Sequence, residues 1–217
     1  SIESFKTFYK DVHKNNGINL NLRAIKTLLL WARDEDLIKK MPKFKMMPIE
    51  VHIKYIKDSD FDKIMQLDID KFYKDTFRLL RGIGVRRSDA AKGRLDGTFL
   101  VIDAENEKTG LRKEVLLTKE QIRIVKQLHR RRDNSQGSVD TLMQSLSSTF
   151  RICCQKIGIY EEGKTTLHCL RHTFAVREYI KTKDIFRVCQ LLHHSSVITT
   201  EKYARININR LEQDFPN

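Results

Sequence analysis

The sequence predicts a mainly α-helical protein with a small antiparallel β-sheet, an α+β body preceded by part of a helical domain. Three observations predict it. Apolar residues recur at three- and four-residue spacing through most of the 217 residues, as in helices that bury one face. Two β-rich runs flank a turn-forming stretch near the middle of the chain. A basic, poorly periodic segment carrying Pro42 and Pro48 interrupts the pattern, and proline ends helices.

Taken in order, "NLNLRAIKTLLLWARDEDLI" (19–38) sets Leu22, Ile25, Leu29 and Ala32 on one helical stripe. Residues 1–41 are too few to enclose their own core and read as the C-terminal part of a helical domain. Residues 42–48 read as a linker, and 49–217 as a second body. There, Asp58 or Ser59 stands where a cap is needed for a helix over "DFDKIMQL". "DKFYKDTFRLLRGIG" predicts a helix ended near Gly82 and Gly84. "GTFLVIDAENEKTGLRKEVLL" places β-rich runs on either side of "NEKTG", a hairpin or small sheet. "TKEQ" at 118–121 is a capping-box pattern opening a helix to about Arg130. The polar "RRRDNSQGS" reads as a loop. Helices follow over "VDTLMQSLSSTFRICCQKIG", "TLHCLRHTFAVREYI", "DIFRVCQLLHH" and "TTEKYARI".

Composition narrows the function. Lys and Arg number 41 against 28 Asp and Glu, a formal charge of +13. That excess suits a polyanionic partner, most simply nucleic acid, or an anionic membrane surface. At 40% hydrophobic residues the chain can bury a core, which excludes wholesale disorder. No apolar run approaches the roughly 18 residues that cross a bilayer, and no signal-peptide pattern opens the chain. It begins at Ser1 in mid-pattern, as a fragment of a longer protein does. Cys153, Cys154, Cys169 and Cys189 form no C-x-x-C pair, which suits a reducing cytosol better than a disulfide framework.

The densest chemistry lies in "TLHCLRHTFAVREYI". His168 and His172 are four apart, as are Cys189 and His193, a spacing that can put zinc ligands on helix faces. The neighbouring arginines would repel a cation. An anion is the alternative: Arg86 and Arg87 follow a glycine turn at a helix start, where backbone N–H groups also favour negative charge. Lys108 lies at the expected hairpin tip, His168 and Arg171 share a helical face, and His194 follows Leu191 and Leu192. Fixed cations converging beside a hydroxyl are what phosphoryl transfer without a metal requires. Read singly, most of these groups are ordinary surface charges.

"GIGVRRSDA", "EKTGLRKEVLL", "LHCLRHTFA" and "LLHHSSVITTEKYAR" occur in the order and style of the tyrosine recombinase (phage integrase) family, which the chain resembles over nearly its whole length. The resemblance implies that family's catalytic fold, preceded by the end of a core-binding domain. It implies catalytic roles for Arg86 in "GVR", Lys108 on the hairpin, His168 and Arg171 in "HCLR", His194 after the leucine pair, and Tyr203 in "TTEKYA". Two departures stand out. The acid three residues after Arg86 is Asp89 where the family usually has Glu. His193 replaces the usual glycine, so either His193 or His194 can be the second histidine, with the flanking "LL" and "SS" favouring His194. His172 reads as a structural or hydrogen-bonding support, and Cys169 as core.

The resemblance further implies a site-specific recombinase that cleaves and rejoins DNA through a 3′-phosphotyrosyl bond, with no cofactor and no metal. Its implied setting is a tetramer on two double-stranded DNA sites in the cytoplasm, nucleoid-associated, with no membrane, for integration or excision of a mobile element. A chromosome-dimer-resolving recombinase and an inactive DNA-binding relative are the alternatives. "INRLEQDFP" offers Ile208, Leu211 and Phe215 either for exchange with a neighbouring subunit or for folding back onto its own domain.

Overall fold

The structure, a computed structural model, describes residues 1–49, 53–106, 110–134 and 138–216. It divides into two compact units, Ser1–His52 and Ile53–Asn217.

The first unit holds α1 (Ile2–Lys10) and α2 (Asn15–Asp34). Ser1 caps α1 by accepting the Ser4 N–H. Ile18 and Leu22 are fully buried. Helix α2 begins four residues before the predicted start and stops four short of the predicted end, where Asp36 turns to φ +58°. The 42–48 segment is tied back onto α2. The Asn19 side chain donates to Met47 O and accepts from Met47 N, at 2.9 and 2.7 Å. Asn15 donates to Pro48 O at 2.8 Å.

The second unit runs α3 (Asp58–Gln66), α4 (Lys71–Ile83), α5 (Arg87–Lys92), β1 (Arg94–Asp96), β2 (Phe99–Ile102), β3 (Lys113–Leu116), α6 (Lys119–Asn134), α7 (Val139–Lys156), α8 (His168–Thr182), α9 (Ile185–Leu192), α10 (Glu201–Ala204) and α11 (Ile208–Asp214). Neither Asp58 nor Ser59 caps α3: the helix opens at Asp58 itself, behind Lys57, and the acidic side chains instead complement the positive end of the helix. The "TKEQ" box forms as read, Gln121 accepting from Thr118 N at 2.9 Å and Thr118 from Gln121 N at 3.3 Å.

The sheet has three antiparallel strands in the order β1-β2-β3, one more than the two β-rich runs suggested. The extra strand forms because Gly97, at φ +57°, closes a tight turn between β1 and β2. Residues 107–109, with Lys108 among them, lie outside the described residues.

Two apolar clusters make the core. The larger joins Phe72, Phe77, Leu80, Leu100, Ile102, Val125, Leu128 and Phe150 with the first turn of α8, through Cys169 and Leu170. The smaller gathers Ala175 and Val176 from later turns of α8 with Val188, Leu192, Tyr203, Leu211 and Phe215. Helix α8 therefore crosses the seam between them. The C-terminal α11 lies on its own chain here: Leu211 and Phe215 are buried, and Asp214 accepts from Tyr55 Oη at 2.7 Å and pairs with Lys57.

Candidate active site

Gly84 starts the construction of the site. It ends α4 in the left-handed region, φ +65°, and a Cβ there would lie 2.2 Å from the Phe174 ring, so glycine answers both a backbone and a packing demand. The turn sends the Gly84 carbonyl toward Arg171, whose Nη1 donates to it at 2.7 Å. The other terminal nitrogen of Arg171 donates to Leu192 O, also at 2.7 Å. Arg171 is only 4% exposed. Its guanidinium thus bolts the end of α4 to the end of α9, and its plane is fixed before any ligand arrives.

Two residues past Gly84, Arg86 stands at the N-cap of α5. Asp89 organises it. The carboxylate accepts from Arg86 N at 3.4 Å, lies 3.7 Å from Arg86 Nη1 and 3.6 Å from Lys113 Nζ, and is itself buried with Lys113. The shorter acid still reaches the arginine. The other end of α5 is held from α6, where Arg132 donates to Ala91 O at 2.8 Å and His129 Nε2 lies 3.1 Å from Ala90 O.

His168 opens α8 and faces a cavity of about 690 Å³ lined also by Arg86, Arg87, Arg151, Thr166 and Arg171. Three sequence-predicted residues from two separate segments, Arg86, His168 and Arg171, therefore border one space. Crowding by protein removes much of the water a charged His168 would need. With Arg171, Lys202, Arg86 and Arg87 nearby, this pushes its pKa down to about 4.

His194 follows the α9 cap. Its Nδ1 lies 2.8 Å from Thr200 Oγ1, and its backbone N–H donates to Cys189 O. Burial, then Arg171, Lys202, Arg86 and Lys113, lowers its pKa to about 4, so it stands in the same positive field as His168. His193 takes the left-handed cap, φ +51°, and lines a different cavity with Gly82, Glu114, Phe174 and Arg187. The two histidines thus line different surroundings, and His194 shares the field of Arg86 and Arg171.

Tyr203 sits on α10 and is 1% exposed, packed in the smaller cluster. Its hydroxyl lies 2.7 Å from His172 Nδ1. Burial raises the phenol pKa above its ordinary value against the lowering pull of Arg171. The His172 pKa is driven far down by burial first, then by His168, Lys202, Arg171 and His194. His168 and His172 meet edge to face with centroids 4.7 Å apart.

In the i,i+4 histidine pair, His172 thus meets the Tyr203 hydroxyl, while the Cys189 thiol points at His194 O. Among the described residues no group of three His, Cys, Asp or Glu side chains is arranged to hold an ion. Lys113, which with Arg112 competes with Lys108 when the hairpin register is counted from sequence, is the inward residue of β3, opposite Ile102. One cation escaped the sequence reading: Lys202 lies 5.1 Å from the Tyr203 ring centroid, signalled only by adjacency in sequence.

The comparisons with known proteins bear on this arrangement. The model of the phage integrase family matches residues 54–210. A protein of Pseudomonas phage Pf1 described as an integrase is 36% identical over 70 residues, 32% of this chain and 21% of that one. The tyrosine recombinase XerC of Chlorobaculum tepidum is 35% identical over 57 residues, 26% of this chain and 17% of that one. These alignments span about a fifth of the relatives' lengths. The XerH site-specific recombinase, solved on a palindromic difH substrate after cleavage, superposes with a TM-score of 0.72 at 18% identity, over 98% of this chain and 69% of its own. A lambda integrase dimer on a COC′ core site gives 0.68 at 18% identity, over 93% and 63%. Likeness at such identity speaks for the fold.

Proposed function

The chain belongs to the phage integrase family, and from that premise we propose that it is a site-specific DNA recombinase that cuts and rejoins strands through a 3′-phosphotyrosyl intermediate. The observation that carries the reading is the convergence of Arg86, His168 and Arg171 on one cavity, with His194 in the same positive field. Tyr203 is reached through His172. These groups come from four stretches of the chain.

In this reading the Tyr203 oxygen attacks a scissile phosphodiester and frees a 5′-hydroxyl. Attack by a partner strand's 5′-hydroxyl reverses the step, so the bond energy is kept and no nucleotide is consumed. Arg86, Arg171 and His194 stabilise the charge that builds on the non-bridging oxygens. Lys108 protonates the leaving 5′-oxygen, and His168 helps to position the tyrosine or accepts its proton. No metal takes part. The formal +13 holds phosphates without reading sequence. Residues 1–41 serve as the end of a core-binding domain, joined to the catalytic domain by 42–48. The working assembly is a tetramer on two DNA sites, and the task is integration or excision of a mobile element, carried out in the cytoplasm on the nucleoid.

A nicked suicide substrate tests this. Wild-type protein is expected to form a covalent protein–DNA complex that Tyr203→Phe does not. A wild-type protein that binds a cognate site yet never becomes linked to it overturns the reading.

A further inference from the structure

The phenol of Tyr203 has one hydrogen-bond partner among the described residues, and it is not His168. It is His172, one turn further along α8, with Nδ1 2.7 Å from the hydroxyl. The two rings are 5.8 Å apart between centroids and inclined at 56°, tilted and not stacked. Apolar side chains enclose the tyrosine on its remaining sides, among them Val176, Val188, Leu192 and Leu211.

Satisfaction of the buried phenol fixes who donates. The Tyr203 O–H has no acceptor other than Nδ1 of His172 among the described residues, and a buried donor left without one is costly. The tyrosine therefore donates and Nδ1 accepts, which puts the proton of the imidazole on Nε2, while burial and the surrounding His168, Lys202, Arg171 and His194 oppose the charged form of His172. His168 meets His172 edge to face at 4.7 Å and also lines the cavity that Arg86 and Arg171 border.

We propose that His172 is the immediate proton acceptor of the nucleophile: its Nδ1 takes the Tyr203 proton as the phenol oxygen attacks phosphorus. This rests on the strand-transfer reading above. The step balances. The Tyr203 O–H bond breaks as the O–P bond forms, the P–O5′ bond breaks, and the leaving oxygen takes a proton from the general acid. The products are a phosphotyrosyl diester, a 5′-hydroxyl and an imidazolium at His172. An incoming phosphodiester brings negative charge among the cations that now oppose charging of His172, so the same group becomes a better base when substrate is present.

Two measurements test it. In 15N-histidine spectra of the free protein, Nδ1 of His172 is expected to be the unprotonated, hydrogen-bonded nitrogen and to shift in Tyr203→Phe. A protonated Nδ1 overturns the proposal without reference to any reaction. On the suicide substrate, His172→Asn is expected to slow covalent-complex formation by about 10²–10⁴-fold with DNA affinity kept. Its residual rate should climb with pH as hydroxide replaces the imidazole, a dependence that a purely structural residue would not create. His172→Asn cleaving within about twofold of wild type, on an unchanged pH profile, overturns the base role and leaves the recombinase reading intact. A wild-type protein that forms no covalent complex sinks both.

Discussion

Asp89 and Lys113 form the buried charge pair on which the position of Arg86 depends. Both are at most 3% exposed, and their charged atoms are 3.6 Å apart. At an effective dielectric near 20 the attraction at that distance is roughly 4–5 kcal/mol, most of it set against the cost of burying both charges. Removing one partner exposes that cost. Asp89→Asn takes away the buried carboxylate that lies within 3.7 Å of both Lys113 Nζ and Arg86 Nη1 and is expected to destabilise the protein by about 3–5 kcal/mol. Lys113→Met should cost less, roughly 1–2 kcal/mol, because Asp89 keeps Arg86 at 3.7 Å. The double variant should be more stable than Asp89→Asn alone, a coupling of about 2–3 kcal/mol. Urea unfolding of the four proteins at neutral pH, with equal m-values, measures it. Additivity within about 0.5 kcal/mol would show that the pair carries no energetic coupling, and the account of how α5 presents Arg86 would fall with it.

Other expectations follow from the same geometry. Arg171→Lys keeps the charge but cannot reach Gly84 O and Leu192 O together, so a loss of about 1.5–3 kcal/mol in unfolding free energy is expected, from one charged hydrogen bond. An unchanged urea midpoint would contradict it. Gly84→Ala meets both the positive φ and the Phe174 ring and should cost at least about 2 kcal/mol, read as a lowered thermal midpoint. His168 and His194 are each neutral when folded until about pH 4, whereas an unfolded imidazole takes its proton near pH 6.5. Their neutral burial stabilises the fold fully above pH 6.5, and that contribution is lost as the pH falls toward 4. The thermal midpoint should drop across that window, and less steeply in His194→Asn. Equal slopes for the two proteins would refute the assignment.

How much of this was legible in the sequence depends on whether a feature is local. The helices of the second unit were readable because periodicity and caps act within a few residues, as the "TKEQ" box and the Gly84 terminus illustrate. Errors fell where local rules compete. Asp58 has the chemistry of a cap, yet the helix takes it as a first-turn residue. Strand β1 escaped notice because three residues are too few for alternation to register. The site was legible for a different reason: its residues lie in short, distinctive blocks. What the blocks do not encode is which side chain touches which. Nothing in "LHCLRHTFA" says that the phenol of Tyr203 bonds to His172 and not to His168. That choice is made by α10 packing against later turns of α8, a contact between residues 31 apart in the chain.

The same reasoning explains why a reactive tyrosine can be kept so deeply buried. Its ring contributes to the smaller core cluster alongside Leu211 and Phe215, so the proposed nucleophile is also a structural residue of the region that α11 covers. Bringing the Tyr203 oxygen to a phosphate between Arg86 and Arg171 must draw on the packing that α11 completes. The polar anchors of α11 on its own unit are few: Tyr55 and Lys57 to Asp214, and Lys183 to Glu212. Of these, the Lys183–Glu212 pair is exposed and contributes little, whereas Asp214 is largely buried. The hold on the tyrosine is therefore mainly apolar burial plus the single hydrogen bond to His172. Among the described residues that is the phenol's one hydrogen bond, and in the proposed attack by Tyr203 it must be rearranged or used. A base placed at this contact uses it, since the group that holds the hydroxyl at rest is then the group that takes its proton.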